Sequence, residues 1–355
     1  MNQQQQPAKV AVIGVGRMGH HHARIYSQMP GVQLVAVVDQ DSDRAGAVAD
    51  EFATEALSSP EQLVEKHPDL LGASVAVPTR WHMAAAGPLL KRGIACLVEK
   101  PLAPSVAEAK QIAGLAREHG AVLQVGHTER FNPAVRAVAK MNIPPRFIEV
   151  DRVSPMTFRS LDVGVVMDMM IHDLDIVLSL VGSPIESVDA VGVAVMGENE
   201  DVASARLHFA SGCVANLTAS RLALKTERKL RLFSESAYVS LDYQKRSGVV
   251  IARSGNQQAI EDLREQIASG QDLAGLDYSE LVHVEQLDMD QSGSEQDPLT
   301  AQLSSFLDAA RTGSAPTVDA EAGYAAVDAA ERVVAAIREH RWEGLSSSPL
   351  CFRGG

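Results

Sequence analysis

Lys9 to Ile13 is a short, β-branched apolar run, and Gly14, Gly16 and Gly19 follow it at once in G-x-G-x-x-G spacing. The run reads as a strand buried on both faces, and Met18 to Gln28 continues as a helix. Strand, glycine turn and helix in this order restrict the chain to a parallel βαβ arrangement. Gly14 allows the tight turn, Gly16 lets a ligand reach bare backbone, and Gly19 brings helix and strand close together. A second apolar run, Gln33 to Val38, ends in Asp39, about twenty residues after Gly19. An acidic residue there can accept both ribose hydroxyls of a dinucleotide and repels a 2′-phosphate. The pattern implies that Gly14, Val15, Gly16, Arg17, Met18 and Gly19 hold a pyrophosphate at a helix N-terminus. Gln40, Asp41 and Ser42 come next, with no arginine among them, so NAD is expected rather than NADP.

The same alternation continues to Gly126. Ala73–Val77, Ile94–Val98 and Ala121–Val125 read as buried strands, and Ser42–Phe52, Pro60–Lys66, Thr79–Arg92 and Ser105–His119 as helices. This predicts a Rossmann-type, doubly wound parallel sheet over residues 1–126. Ligands bind beyond the C-terminal ends of such strands, which selects Pro78, Thr79 and His82, then Glu99, Lys100 and Pro101, then Gly126 and His127.

Residues 127–345 have another texture. Arg146–Arg152, Ser187–Val195, Ala203–Phe209, Cys213–Ser220, Lys229–Phe233 and Ala237–Leu241 are strand-like, with Ser211-Gly212 a hairpin signal. They predict an α+β domain with a large, mostly antiparallel open sheet, on which the helix Val165–Val181 packs. Residues 256–297 are polar and acidic and read as an insertion or mobile loop, with an amphipathic helix over Ala259–Ile267. Leu299–Arg311 and Asp319–His340 read as helices, and residues from 346 as a tail.

A net charge of −13 argues against nucleic-acid and anionic-membrane surfaces. Cys96, Cys213 and Cys351 have no metal-site spacing, and the stretch Met1–Pro7 is a polar glutamine run. A cytoplasmic protein without a metal is expected. The run His20-His21-His22 does not alter this, because consecutive helical residues point apart.

The helix Val165–Leu178 is apolar nearly all round, yet Asp168, His172 and Asp175 recur at i, i+4 and i+7 on one face. Burying such groups costs several kcal/mol, on the order of 5, unless they are paired or line a wet cleft. One reading is a satisfied core network. The other is an active site in which His172 is the general base and Asp168 orients it. Lys100, placed at a strand end before Pro101, would bring a cation to an alkoxide developing beside the cofactor.

Gly14–Gly19, Glu99-Lys100-Pro101 and Asp168-(x)3-His172 together resemble the glucose–fructose oxidoreductase / inositol 2-dehydrogenase family, written Gfo/Idh/MocA. The resemblance covers Lys9 to about Arg338. It implies a Rossmann domain, an open-sheet domain used in homodimers or homotetramers, and catalytic roles for Lys100, Asp168 and His172. The segments Gly126–Pro133, Arg159–Asp168 with Ile171–Asp175, and Ala215–Arg221 before Glu227–Arg231 are similar to those of UDP-N-acetylglucosamine 3-dehydrogenases within that family. That likeness implies oxidation of a UDP-sugar to its 3-keto form. Arg130, Arg159 and Arg221 would then suit a diphosphate, and Asn132 a sugar hydroxyl or carboxamide, unless Asn132 merely caps a helix. A dehydrogenase of a free sugar or inositol, and a non-catalytic NAD sensor, are the alternatives.

Overall fold

A computed structural model describes residues 6–157, 163–253, 257–270, 282–287 and 297–342. The first sheet is built from β1 (Ala8–Ile13), β2 (Val32–Val38), β3 (Glu55–Leu57), β4 (Gly72–Val75), β5 (Ala95–Glu99) and β6 (Leu123–Gly126). Its six strands are all parallel, in the order β3-β2-β1-β4-β5-β6. The strand order therefore reverses between β1 and β4, and that crevice is where a doubly wound sheet binds ligands. Every residue of β4, β5 and β6 is buried, as strands covered on both faces must be.

The connecting helices are α1 (Arg17–Gln28), α2 (Ser42–Phe52), α3 (Pro60–Lys66), α4 (His82–Leu90) and α5 (Val106–Glu118). Their starts are written locally: Asp41, Ser59 and Ser105 each accept a backbone N–H of the first turn. The helix expected over Thr79–Arg92 divides into a 3-10 turn, Thr79–Trp81, and α4.

The second sheet follows α6 (Pro133–Met141). It comprises β7 (Phe147–Val153), then, beyond α7 (Ile171–Val181), β8 (Ile185–Val193), β9 (Val202–Phe209), β10 (Val214–Ser220), β11 (Glu227–Phe233), β12 (Ala237–Asp242) and β13 (Ser247–Arg253). After α8 (Gln257–Ala268), β14 (Val282–Leu287) joins the edge, giving eight strands in the order β14-β13-β12-β11-β7-β10-β9-β8. Among the described strands of this sheet, only β7 and β10 pair in parallel. Burial alternates along β7, β9 and β10, so one face lies on the core and the other looks outward. Part of the 256–297 segment is thus regular structure: α8 spans the expected amphipathic stretch, and β14 adds a strand that its polar sequence did not signal. Residues 256, 271–281 and 288–296 of that segment lie outside those described.

Two closing helices, α9 (Pro298–Thr312) and α10 (Ala320–Glu339), return to the first sheet. Leu303, Phe306 and Leu307 of α9 join Val10, Val12, Tyr26 and Leu97 in one core. The Val125 N–H donates to the Val318 carbonyl at 2.9 Å, which ties the closing segment to the edge strand β6. The division near residue 126 thus separates the two sheets but not the layers that cover them. α10 packs against α5, α7 and β8 and crosses β6 at Gly323, where an added Cβ would overlap Val125 Cγ2. Gly323→Ala is expected to cost about 1–3 kcal/mol through overpacking. An unchanged urea midpoint would show that this seam is looser than the contact implies.

Candidate active site

At the switch point lies a cleft of about 720 Å³, lined by Gly14, Gly16, Asp39, Arg44, Pro78 and Trp81 among others. Gly14 has φ +83°, and a Cβ there would stand 2.7 Å from Val77 Cγ1. A Cβ on Gly19 would overlap the Gly14 carbonyl oxygen, whereas Gly16 has no heavy atom within 4 Å of such a position. Gly16 therefore leaves open space in front of the α1 N-terminus, which has no side-chain cap. Free N–H groups facing open space suit a pyrophosphate. Arg17 and Met18 are exposed at the start of α1.

Asp39 Oδ2 accepts the Val15 N–H at 2.9 Å and Oδ1 the Asp41 N–H at 3.0 Å, so its carboxylate is held at the end of β2. Arg44 was not anticipated. Its Nη1 stands 3.4 Å from Asp39 and its Nη2 2.8 Å from Asp41. It comes five residues after Asp39, and the first turn of α2, capped by Asp41, folds it back over the carboxylate. The residues present fit a dinucleotide.

Lys100 leaves β5 through a cis bond to Pro101. Its Nζ donates to the Asp168 carbonyl at 2.7 Å and lies 3.5 Å from Asp168 Oδ1. Burial holds the amine below the usual lysine range, and the Asp168 carboxylate draws it partly back. Asp168 sits in a π-helical turn, Val166–Met170, directly before α7. Sequence periodicity predicts a uniform helix here. The wider turn departs from it, and such turns recur at functional sites. His172 follows in the first turn of α7. Burial drives its imidazole well below the usual histidine value, and the nearby Lys100 and Arg152 cations add to this. Lys100, Asp168 and His172 thus share one site beyond the end of β5.

The helix is pinned from behind. Arg152 on β7 grips Asp173 with Nε and Nη2 at 2.6 and 2.8 Å, and its Nη1 reaches Glu129 at 3.2 Å. The Glu200 side chain accepts the Val166 N–H at 3.2 Å, and its carbonyl accepts the Val165 N–H at 2.9 Å. Arg221 pairs with buried Asp201 at 2.6 Å and donates to the Val163 carbonyl at 2.9 Å. Two of its nitrogens are therefore engaged by the protein itself.

Arg130 pairs with Asp175 at 3.3 Å and lines a separate groove between α6 and α9. Asn132 accepts the Ala134 N–H at 3.1 Å as the cap of α6 and donates to Glu129 at 3.1 Å. His82 is buried with its nitrogens 3.1 and 3.0 Å from the Leu102 and Val77 carbonyls, so its ring serves the backbone. Thr79 opens the 3-10 turn beside Pro78. Glu99 is buried 3.3 Å from His22 Nε2, while His20 turns outward to Glu51 at 2.9 Å. Arg159 lies outside the described residues. His127, at the end of β6, is fully buried with its ring edge-on to His172.

Burial depresses His82, His127 and His172 below the ordinary value near 6.5. The unfolded chain then binds protons that the folded chain excludes. Stability is full above that value and falls as pH drops below it, well before carboxylates titrate. Urea midpoints are expected to decline between about pH 7.5 and about pH 5.5. A flat profile over that window would contradict neutral buried imidazoles.

The family profile described as an oxidoreductase family with an NAD-binding Rossmann fold matches residues 8–127, and the Gfo/Idh/MocA C-terminal domain profile matches residues 135–240. A UDP-N-acetylglucosamine 3-dehydrogenase of Acidithiobacillus ferrooxidans is 38% identical over 236 residues, covering 66% of this chain and 74% of that one. Its crystal structure superposes with TM-score 0.81 at 32% identity, over 93% of this chain and 97% of that chain. A scyllo-inositol 2-dehydrogenase (NAD(+)) of Bacillus subtilis is 32% identical over 230 residues, covering 60% of this chain and 67% of that one. The chain belongs to the Gfo/Idh/MocA family of oxidoreductases, with a nicotinamide-cofactor domain followed by the family's C-terminal domain.

Proposed function

We propose that this enzyme oxidises a secondary hydroxyl of a sugar nucleotide, the C3 hydroxyl of UDP-N-acetylglucosamine, with NAD as acceptor. One observation carries the reading: the Lys100 amine rests on Asp168, one helical turn before His172, beyond the end of β5, which pairs with β4, the strand whose following residues Ala76, Val77 and Pro78 line the dinucleotide cleft. The choice of substrate draws on the 38% identical relative, which acts on UDP-N-acetylglucosamine.

Removing hydride from a carbinol carbon requires loss of the hydroxyl proton. His172 is neutral near pH 7, so its open nitrogen can accept that proton. The Lys100 ammonium stabilises negative charge growing on the oxygen, and Asp168 holds the amine in place by its carbonyl and carboxylate. A bound nicotinamide supplies the hydride acceptor. Asp39, fixed by two backbone N–H groups, favours ribose hydroxyls over a 2′-phosphate, and Arg44 beside it is engaged by Asp39 and Asp41.

Lys100→Ala and His172→Ala are each expected to lower turnover of UDP-N-acetylglucosamine about a hundredfold or more, without loss of fold. Parent-like rates in both would end the assignment. The inositol dehydrogenase relative favours a second reading, oxidation of a free polyol. A panel of UDP-sugars and inositols, with product mass recorded, decides between the two. Asp39→Ser should move the NAD-to-NADP preference in kcat/KM by about tenfold towards NADP. An unchanged ratio would remove Asp39 from cofactor choice.

A further inference from the structure

Behind His172 lies a cluster that the reaction as described does not use. His127, fully buried at the end of β6, meets the His172 ring edge-on, with centroids 6.5 Å apart and planes at 90°. Asp175 follows His172 on the same face of α7 and is 2% exposed, with Oδ1 3.3 Å from Arg130. Among the described residues, four polar atoms here are buried without a hydrogen-bond partner: both His127 nitrogens, His172 Nδ1 and Asp175 Oδ2. Each such orphan costs about 1–3 kcal/mol, so four together call for a shared arrangement. The ring spacing is too long for a direct hydrogen bond and suits one bridging solvent molecule.

The donor and acceptor chemistry allows one consistent chain. A carboxylate only accepts, so a solvent-bridged link between Asp175 and His127 must start from a His127 N–H. The other His127 nitrogen is then an acceptor, and it turns inward the proton of a neutral His172 at Nδ1. We propose that His127 and Asp175 are positioning residues for the base: the chain Asp175–His127–His172, bridged by solvent, holds the His172 proton on Nδ1 and leaves Nε2 free to take the substrate proton. The inference rests on the reading of His172 as that proton acceptor. When His172 gains the proton at Nε2 it becomes an imidazolium that still donates from Nδ1, and no bond elsewhere in the chain need break. Asp175, anchored by Arg130, places negative charge at the far end. Burial lowers the His127 proton affinity, and the Asp175 carboxylate is the strongest group opposing that effect, ahead of Lys100 and Arg130, which reinforce it.

The test uses the full chain labelled with 15N-histidine, together with steady-state rates on UDP-N-acetylglucosamine and NAD. Imidazole 15N shifts separate the two neutral tautomers, and His172→Ala assigns the signal. The parent should show His172 as the Nδ1–H tautomer. His127→Phe keeps a ring but removes both nitrogens; it should mix the His172 tautomers and lower kcat about tenfold or more, with both KM values within about twofold. His127→Gln, which can still donate and accept, should recover most of both readouts. If the phenylalanine variant does not fold, Asp175→Asn carries the same test. A His172 tautomer indifferent to His127 and Asp175 overturns the proposal, as does a kcat loss that glutamine does not relieve. Failure of the parent to turn over UDP-N-acetylglucosamine would count against the proposed function instead, since the tautomer is read without substrate.

Discussion

The hydrogen bond from Lys100 Nζ to the Asp168 carbonyl joins the two halves of this molecule where its chemistry resides. The amine belongs to the end of a parallel strand, and the carbonyl to the helix that lies on the second sheet. A buried ammonium costs several kcal/mol, on the order of 5, unless it finds oxygen partners. Here it finds two on one residue. The cation can thus stay beside a reaction centre without leaving its charge uncompensated, and each sheet fixes the position of the other's functional group.

That arrangement requires the helix not to drift, and the chain spends much of its buried polarity on holding it. Arg152 grips Asp173 from β7, Glu200 takes two N–H contacts at the helix start, and Arg221 with Asp201 fixes Val163. Breaking such a pair leaves a charge stranded, which is why ionic anchors specify position more firmly than they add stability. The π-helical turn at Val166–Met170 fits the same account. It widens the backbone at the residue whose carbonyl and carboxylate must both reach one amine.

What could be read from the sequence was what local chemistry determines. The glycine turn, Asp39, the Glu99-Lys100-Pro101 segment and the strand–helix alternation depend on neighbours within a few residues, and the helix caps of α2, α3 and α5 do too. Other features depend on partners far along the chain. Arg130 and Arg221 looked like free cations until Asp175 and Asp201 were brought against them. Asn132 carried both readings and is a helix cap, a role that the following Pro133 hinted at. His127 was marked by its place at a strand end and by the Gly126–Pro133 likeness, but neither signal showed that its ring would meet His172. β14 was hidden because an edge strand facing solvent on most of its length need not be apolar.

The return of α9 to the first sheet has a consequence for how the molecule is made. Leu303, Phe306 and Leu307 are sealed against Val10, Val12 and Leu97, residues separated from them by some two hundred positions or more. During synthesis the N-terminal strands leave the ribosome long before that lid exists, with one apolar face still wet. Hydrophobic closure of the nucleotide-binding half therefore waits for almost the last helix of the chain. A nascent or truncated copy ending before α9 presents a sticky surface, and its safe passage depends on speed or on chaperones.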